Sequence, residues 1–249
     1  MNITPVVKQL LIINIIFFIG AMLVGTPARE LLALFYFENP AFQGWQPISS
    51  MFMHADILHI AFNMFALYSF GSALEHYWGG KKFLFFYISC GLGSAILHTV
   101  VNYFQFHAGL DALVSNGIPE EQIRSLLDSG QYNPGWASLI GDGALNKMMG
   151  SYTGIAMGAS GAIYGLLVAF AYMFPNAELA LLFIPVPIKA KYFVPGIIAI
   201  DLFLGLQGDS LFGSGGTGIA HFAHIGGAIV GFLMMWTWKR NQFDKNRWD

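Results

Sequence analysis

The chain contains six long stretches of apolar residues, and this pattern restricts its fold more than any other feature. The stretches lie near residues 9–25, 56–74, 83–105, 153–174, 192–208 and 217–237. An α-helix needs about 17 to 25 predominantly apolar residues to cross the hydrocarbon core of a bilayer. The pattern therefore predicts an all-α, polytopic membrane protein built as a bundle of six transmembrane helices.

The composition agrees with a membrane location. Of the 249 residues, 55% are hydrophobic and only 10% are charged, so a soluble globule of this size would lack polar surface. The net charge of -2 argues against a nucleic acid partner, which would require a clustered basic face. No small-residue cleavage site follows the first apolar stretch, so we interpret it as a span rather than a signal peptide.

The basic residues are distributed unevenly among the connections between these spans. Nine of the 12 lie in the two termini and in the loops after spans two and four, whereas the other connections hold only Arg29, Arg124 and Lys147. Cytoplasmic connections are enriched in Lys and Arg, so the pattern predicts that both termini are cytoplasmic. Because organelle-type targeting features are absent, we expect a bacterial inner membrane.

Two connections on the predicted outer side are long enough to contain structure of their own. Residues 26–55 carry six aromatic side chains, which suit an outer loop lying in the lipid interface. Residues 106–152 are more polar, and the segments Pro119–Glu121 and Asn133–Gly135 predict a short helix and a turn. We interpret residues 106–152 as an extracytoplasmic insertion within a single membrane domain covering residues 1–249.

Polar side chains inside the spans are candidates for function, because their burial in a membrane is costly and they usually face the interior of a bundle. Asn63, Ser160 and His224 each lie about seven residues after the predicted outer start of their span, which places them roughly 10 Å below the outer surface. His59 lies one turn above Asn63 on the same helix face. Ser160 is a potential nucleophile, and His224 a potential base for it.

Small residues recur at helical spacing in spans four and six, and they predict close packing between these spans. They are Gly154, Gly158, Gly161 and Gly165 in span four, and Ala220, Gly227 and Gly231 on the His224 face of span six. A hydroxyl group and an imidazole must come within about 3 Å of each other for proton transfer. We therefore expect spans four and six to be in contact.

Three segments together resemble motifs of the rhomboid family of intramembrane serine proteases, over roughly residues 45–238. Residues Gly158–Gly161 resemble the G-x-S-G nucleophile motif, and residues Ala223–Gly231 resemble A-H-x-x-G-x-x-x-G. Residues His59–Asn63 resemble the second-span motif H-x-x-x-N, and Gly71 and Glu75 follow in the expected neighbourhood. The resemblance implies a rhomboid-like fold.

The resemblance also implies how the residues act. Ser160 attacks the scissile carbonyl and His224 transfers the proton, as a dyad without a carboxylate. His59, Asn63 and the backbone N–H of Ser160 are the candidates for stabilising the oxyanion. Tyr164, one turn after Ser160, is positioned to pack against the imidazole. The implied partners are transmembrane protein substrates that reach the site from the lipid bilayer between spans two and five and carry a small residue before the scissile bond.

The chain departs from the family pattern in its first outer loop, where members often carry Trp-Arg and this chain has Trp45 followed by Gln46. His54 is expected to brace that loop or to touch substrate. Asp201, an acid inside span five, is expected to pair with a backbone or hydroxyl group rather than to orient His224. His221 has metal-ligand spacing to His224, but no matching carboxylate or cysteine pair is evident, so we expect neither a metal nor a cofactor.

Two other classes of function are compatible with parts of the pattern. A proton- or ion-coupled transporter uses buried His, Asn and Asp side chains as an ion path and does not need Ser160. An inactive rhomboid-like binding protein keeps the helices but lacks the dyad, whereas both members of the dyad are present here. The favoured hypothesis is an intramembrane endopeptidase whose site opens to the extracytoplasmic side. The sequence gives no indication of its oligomeric state.

Overall fold

The computed structural model describes residues 2–181, 184–207 and 219–245, and α-helices dominate this part of the chain. The helices are α1 (Pro5–Val24), α2 (Thr26–Leu32), α3 (Gln46–Ser49), α4 (Ile57–Ala66), α5 (Ser72–Trp78), α6 (Gly80–Ser115), α7 (Glu120–Asp128), α8 (Ala137–Ile140), α9 (Asp142–Thr153), α10 (Ser160–Met173), α11 (Ala190–Gln207) and α12 (Ile219–Lys245). Each of the six predicted apolar stretches overlaps helical structure, namely α1, α4 with α5, α6, α10, α11 and α12 in chain order. The predicted span boundaries at 208 and 217, and the basic residue Arg247, lie outside the described residues.

Four helical segments of the described chain are long and apolar enough to cross a membrane. They are Pro5–Val24, Ile57–Trp78, Gly80–Ser115 and Ala190–Gln207. The second of these joins α4 to α5 through a π-helical turn at Leu67–Gly71, a local widening that often occurs near functional sites. Helix α10 is apolar but shorter, with 14 residues. The chain is therefore a multi-pass membrane protein with a mostly helical fold.

The fourth span begins later than the sequence pattern predicts. The predicted start is residue 153, but α9 ends at Thr153 and α10 begins at Ser160. The intervening backbone is not helical, and Gly158 has a φ of 127° that side chains other than glycine rarely adopt. The predicted helical spacing of Gly154 and Gly158 is therefore wrong, as is the expectation that Ser160 lies seven residues into its helix.

The third span extends well beyond its predicted end at residue 105. Helix α6 has 36 residues, which corresponds to a length of about 54 Å, whereas the hydrocarbon core of a bilayer is only about 30 Å thick. The last turns of α6 pack with α7, α9 and the first loop in a separate hydrophobic cluster. Its buried members include Tyr36, Phe106, Ile123, Trp136 and Tyr152. The predicted helix after Pro119 and the turn at Asn133–Gly135 are both present.

A second feature that the sequence did not predict is a small β-hairpin between α10 and α11. Strand β1 (Glu178–Leu181) pairs antiparallel with β2 (Ile184–Lys189), with Glu178 opposite Lys189 and Leu181 opposite Ile184. The part of the chain that the structure describes is therefore mostly helical with a short hairpin, rather than all-α.

Glu75 connects the start of α1 to the main core. Its carboxylate accepts hydrogen bonds from the backbone N–H groups of Val6 and Val7, at 2.9 and 2.8 Å, and from the hydroxyl group of Thr4. The first N–H groups of a helix have no partner within the helix, and a negative charge there is favourable. Glu75 therefore fixes α1 against α5, next to the core that α4, α6 and α10 share.

Candidate active site

The side chains of Ser160 and His224 meet between α10 and α12. Nε2 of His224 lies 2.9 Å from Oγ of Ser160, although 64 residues separate them in the chain. Both side chains are partly exposed rather than fully buried. A hydrogen bond of this length, with the hydroxyl donating to an unprotonated imidazole nitrogen, is the arrangement needed for general-base activation of a serine.

Close helix packing brings this pair together. A β-carbon placed on Gly227 would lie 1.8 Å from the carbonyl oxygen of Gly161, and one placed on Gly231 would lie 2.8 Å from Cα of Gly165. Only glycine allows two helix backbones to approach this closely. The predicted contact between spans four and six is therefore present, and it involves the predicted glycines that lie within the two helices.

The backbone before Ser160 is held by the first loop, a contact that the sequence pattern does not predict. Leu34 and Ala156 form an isolated β-bridge through two N–H···O bonds of 2.9 Å, and the N–H of Gly158 donates to the carbonyl of Ser50 at 2.9 Å. Ser160 is consequently the first residue of α10, where its own N–H has no acceptor within the helix. This N–H and the positive end of the helix dipole are both available to a developing negative charge.

His59 lies on the opposite side of the same small space. Its Nδ1 accepts a hydrogen bond from the N–H of Ala55 at 3.3 Å, so in the neutral ring Nε2 carries the hydrogen. A β-carbon on Gly158 would lie 2.8 Å from Nε2 of His59 and 3.6 Å from Oγ of Ser160. The missing side chain of Gly158 therefore leaves open the space between a hydrogen-bond donor and the serine hydroxyl. Gly158 has this role in the turn, and not the helix-packing role predicted for it.

Asn63 and His54 support His59 from two sides. Nδ2 of Asn63 donates to the carbonyl of His59 at 2.8 Å, and the Asn63 side chain is buried. The ring of His54 packs edge-on against the ring of His59 with 5.0 Å between centroids. Burial, with a smaller effect from the nearby His59, lowers the pKa of His54 to about 4, so His54 is neutral at pH 7.

Tyr164 packs against the imidazole of His224, as its position one turn after Ser160 predicts. The two rings are stacked, with 4.3 Å between their centroids and 11° between their planes. An aromatic ring in this position restricts rotation of the imidazole about its χ angles.

Asp201 contacts both histidines of α12, which the sequence pattern does not predict. One carboxylate oxygen lies 2.5 Å from Nδ1 of His221, and the other lies 3.3 Å from Nδ1 of His224. The hydroxyl group of Tyr164 also hydrogen-bonds Asp201, so the expected pairing with a hydroxyl group is present in addition to the two histidine contacts. The expected absence of a carboxylate beside His224 is wrong, because span five is distant in sequence but adjacent in space.

Within residues 2–181, 184–207 and 219–245, these three side chains form a group that could hold a metal ion. Ligand atoms of Asp201, His221 and His224 lie within 4.8 Å of one another. The sequence argued against a metal site because no carboxylate was evident near the two histidines. Asp201 supplies this carboxylate. The hydrogen bonds among these groups account for their spacing without an ion.

Gln46 follows Trp45 at the position where the family resemblance leads us to expect arginine. Its side chain is fully buried and donates through Nε2 to the carbonyls of Glu30 and Ala41, at 3.2 and 3.0 Å. Its Oε1 accepts from the N–H of Phe35 at 3.3 Å. The amide therefore braces the first loop, which in turn holds the backbone before Ser160.

The fold and the site together define a helical membrane protein that holds a serine and a histidine between two closely packed helices. A family model described as the rhomboid domain matches residues 41–115 and 134–241, which is more than half of the chain. The chain belongs to the rhomboid family. The unmatched residues between these two segments include α7, so part of the insertion at residues 106–152 lies outside the family pattern.

Several curated relatives are similar to most of this chain. An uncharacterised mitochondrial rhomboid protein of Schizosaccharomyces pombe is 30% identical over 212 residues, which cover 79% of this chain and 52% of the relative. The rhomboid protease AarA of Providencia stuartii is 28% identical over 203 residues, covering 76% and 54%. The mitochondrial presenilin-associated rhomboid-like protein of Homo sapiens is 27% identical over 199 residues, covering 80% and 38%. The chain thus spans about half or less of the length of these relatives.

Proposed function

We propose that this rhomboid protein is a serine endopeptidase that hydrolyses peptide bonds in or beside transmembrane segments of other proteins. The observation that carries the proposal is the 2.9 Å contact between Oγ of Ser160 and Nε2 of His224. One of the relatives bears the name of a protease, which supports the same chemistry.

In the proposed reaction, Oγ of Ser160 attacks the scissile carbonyl carbon while Nε2 of His224 takes the hydroxyl proton. The C–N bond then breaks, and His224 returns the proton to the leaving amine. Water repeats the sequence on the acyl-enzyme, with His224 first as base and then as acid, and releases the second product from Ser160.

Oxyanion stabilisation is proposed to come from donors that surround the space left by Gly158. Nε2–H of His59 and the backbone N–H of Ser160 are the nearest candidates, because both border this space without a competing acceptor from the same helix. Asn63 donates one amide hydrogen to the carbonyl of His59, and its second amide hydrogen is the third candidate.

The proposed arrangement in the membrane has six spans and two cytoplasmic termini. In this arrangement the shorter helix α10 and helix α12 are two further spans, in addition to the four described above. The site opens to the extracytoplasmic side, where water is available, and substrates approach from the bilayer between spans two and five. A helical substrate hides its carbonyls in hydrogen bonds, so helix-weakening residues near the cut and a small residue before it favour cleavage. A bacterial inner membrane stays a prediction, since the relatives include mitochondrial and bacterial proteins.

A labelled fluorophosphonate applied to the purified protein tests the proposal. The wild type is expected to become labelled at Ser160, whereas Ser160→Ala and His224→Ala are expected to remain unlabelled. Equal labelling of all three proteins would overturn the hydrolase assignment. An inactive binding protein would leave the wild type unlabelled. A transporter would retain transport activity after Ser160→Ala.

A further inference from the structure

The imidazole of His224 contacts a carboxylate, that of Asp201, on the side opposite to Ser160. Asp201 is buried in α11, and each of its oxygens contacts a different histidine of α12. We propose that Asp201 is a positioning residue that orients His224. Ser160, His224 and Asp201 then form a hydrogen-bonded triad, in which His224 contacts Ser160 through Nε2 and Asp201 through Nδ1. This inference rests on the proposed function and adds an acid to the dyad.

The two nitrogens of His224 have different neighbours, and this difference gives Asp201 its role. Nε2 must be unprotonated to accept the hydrogen of Ser160, so the ring hydrogen must reside on Nδ1. A carboxylate oxygen 3.3 Å from Nδ1 accepts that hydrogen and favours the required tautomer. The stacked ring of Tyr164 fixes the plane of the imidazole but does not distinguish its two nitrogens.

His221 holds the carboxylate in place. Its Nδ1 lies 2.5 Å from the first oxygen of Asp201, and only 7% of His221 and 4% of Asp201 are exposed. A buried carboxylate needs hydrogen-bond donors to compensate for lost hydration. With one oxygen held by His221, the second oxygen is directed at His224 and has little freedom to rotate away.

Helix α11 approaches α12 closely enough for these contacts because Gly205 lies one turn after Asp201. A β-carbon at Gly205 would lie 3.3 Å from Cβ of His221 and 3.1 Å from the ring of Phe222. Span five is therefore packed against the face of α12 that carries both histidines. The sequence spacing of 23 residues between Asp201 and His224 gives no indication of this contact.

Asp201→Asn tests the inference, since asparagine has nearly the same shape but no charge. With a single-span substrate whose cleavage requires Ser160, kcat is expected to fall by about 10- to 1,000-fold while KM changes less than about twofold. The exposed acid Asp111 provides the control variant, and Asp111→Asn is expected to retain the wild-type kcat.

The tautomer of His224 provides a readout that does not depend on activity. In protein labelled with ¹⁵N-histidine, with His224→Gln used to assign the signal, the wild type is expected to carry its hydrogen on Nδ1. Asp201→Asn is expected to give a mixture of the two tautomers. A wild-type kcat together with an unchanged tautomer in Asp201→Asn would overturn the inference.

His221→Gln serves as a second variant if Asp201→Asn does not fold. It leaves the charge of Asp201 in place but releases one of its oxygens, and kcat is expected to fall by roughly three- to tenfold with a partial change of tautomer. An unchanged kcat and tautomer in this variant would also count against the inference. If the wild-type protein itself fails to react with fluorophosphonate, the proposed function fails, whereas labelling of the wild type and Asp201→Asn at equal rates rejects only the role of Asp201.

Discussion

Gly161 and Gly227 face each other across the contact between α10 and α12, with the carbonyl oxygen of one against the Cα of the other. A β-carbon on Gly227 would stand 1.8 Å from that oxygen, which is far inside any van der Waals contact. Ser160 immediately precedes Gly161 in α10, and His224 lies about one turn before Gly227 in α12. The distance between Ser160 and His224 is therefore set by the separation of two helix backbones.

Gly227→Ala is expected to separate α10 from α12 and to abolish activity. The added methyl group meets a carbonyl in a rigid helix, so the free energy of unfolding is expected to fall by about 3 kcal/mol or more. Fluorophosphonate labelling and thermal unfolding in detergent measure the two effects. Gly20→Ala is the control, because Gly20 lies in α1 and a β-carbon added there would have nothing within 4 Å. Equal behaviour of the two variants would contradict the proposed role of glycine packing.

The stacked ring of Tyr164 is expected to matter through its aromatic face. Tyr164→Phe keeps the stacking but removes the hydroxyl group that hydrogen-bonds Asp201, and kcat is expected to stay within about threefold of wild type. Tyr164→Leu frees the imidazole and is expected to lower kcat between about 10- and 100-fold. Single-turnover cleavage of a model substrate measures both. Tyr172→Leu, on the same helix but away from His224, is expected to leave kcat unchanged. A wild-type rate for Tyr164→Leu would show that the ring does not position the base.

Gln46→Leu is expected to loosen the first loop. It removes both the donor and the acceptor side of a buried amide, and the abandoned backbone groups should lower the free energy of unfolding by about 2 to 3 kcal/mol. Gln46→Arg is not expected to restore stability, because arginine has no acceptor for the N–H of Phe35. Thermal unfolding and limited proteolysis within residues 26–55 report the loss. Gln122→Leu, at an exposed position of α7, should leave both measurements unchanged.

Glu38 gives the contact between the first loop and the insertion a dependence on pH. Its carboxylate bonds His107 at 2.9 Å and Arg124 at 2.8 Å, and it accepts from the hydroxyl of Tyr36. Burial on its own raises the pKa of Glu38, but the hydrogen bonds from His107, Arg124 and Tyr36 together lower it below the usual 4.5. The stabilisation of the folded protein by the Glu38 carboxylate is therefore complete above the pKa that Glu38 has in the unfolded chain. It is lost as the pH falls through the lower pKa that Glu38 has in the folded protein.

Glu38→Gln is accordingly expected to destabilise the protein by roughly 2 kcal/mol at pH 7, since it removes the charge from three hydrogen bonds. The difference from wild type should shrink as the pH falls below 4.5 and through the lower pKa of Glu38 in the folded protein, because the wild-type carboxylate then becomes neutral as well. Thermal unfolding across this range measures the change. Glu121→Gln, which alters an exposed acid of α7, is expected to match the wild type at every pH. A constant difference for Glu38→Gln would contradict the assigned pKa direction.

The sequence was informative wherever a local pattern determines a structure. Apolar length predicted where the longer helices lie, and glycine spacing predicted the contact between spans four and six. The i, i+4 spacing of Ser160 and Tyr164 also predicted the aromatic ring beside His224. Each of these predictions depends on helix periodicity, which can be read from residues close together in the chain.

The features that the sequence did not reveal depend on contacts between distant segments. The start of α10 at Ser160 follows from backbone bonds to Leu34 and Ser50, whose side chains give no signal for them. Asp201 reaches His224 only because Gly205 lets α11 approach α12. Gln46 braces the first loop through hydrogen bonds to the backbone of Glu30, Phe35 and Ala41. In each case tertiary packing determines which residues are in contact, and local sequence spacing does not indicate these contacts.

Helix α6 continues without a break from the main core into the insertion. Its 36 residues form one helix that is longer than the hydrocarbon core of a bilayer is thick. A tilt that adapts α6 to a thicker or thinner membrane is expected to move His107 as well. Because His107 contacts Glu38, this movement is expected to reach the first loop, whose Leu34 bonds the backbone before Ser160. A change in membrane thickness is therefore expected to alter the geometry around Ser160.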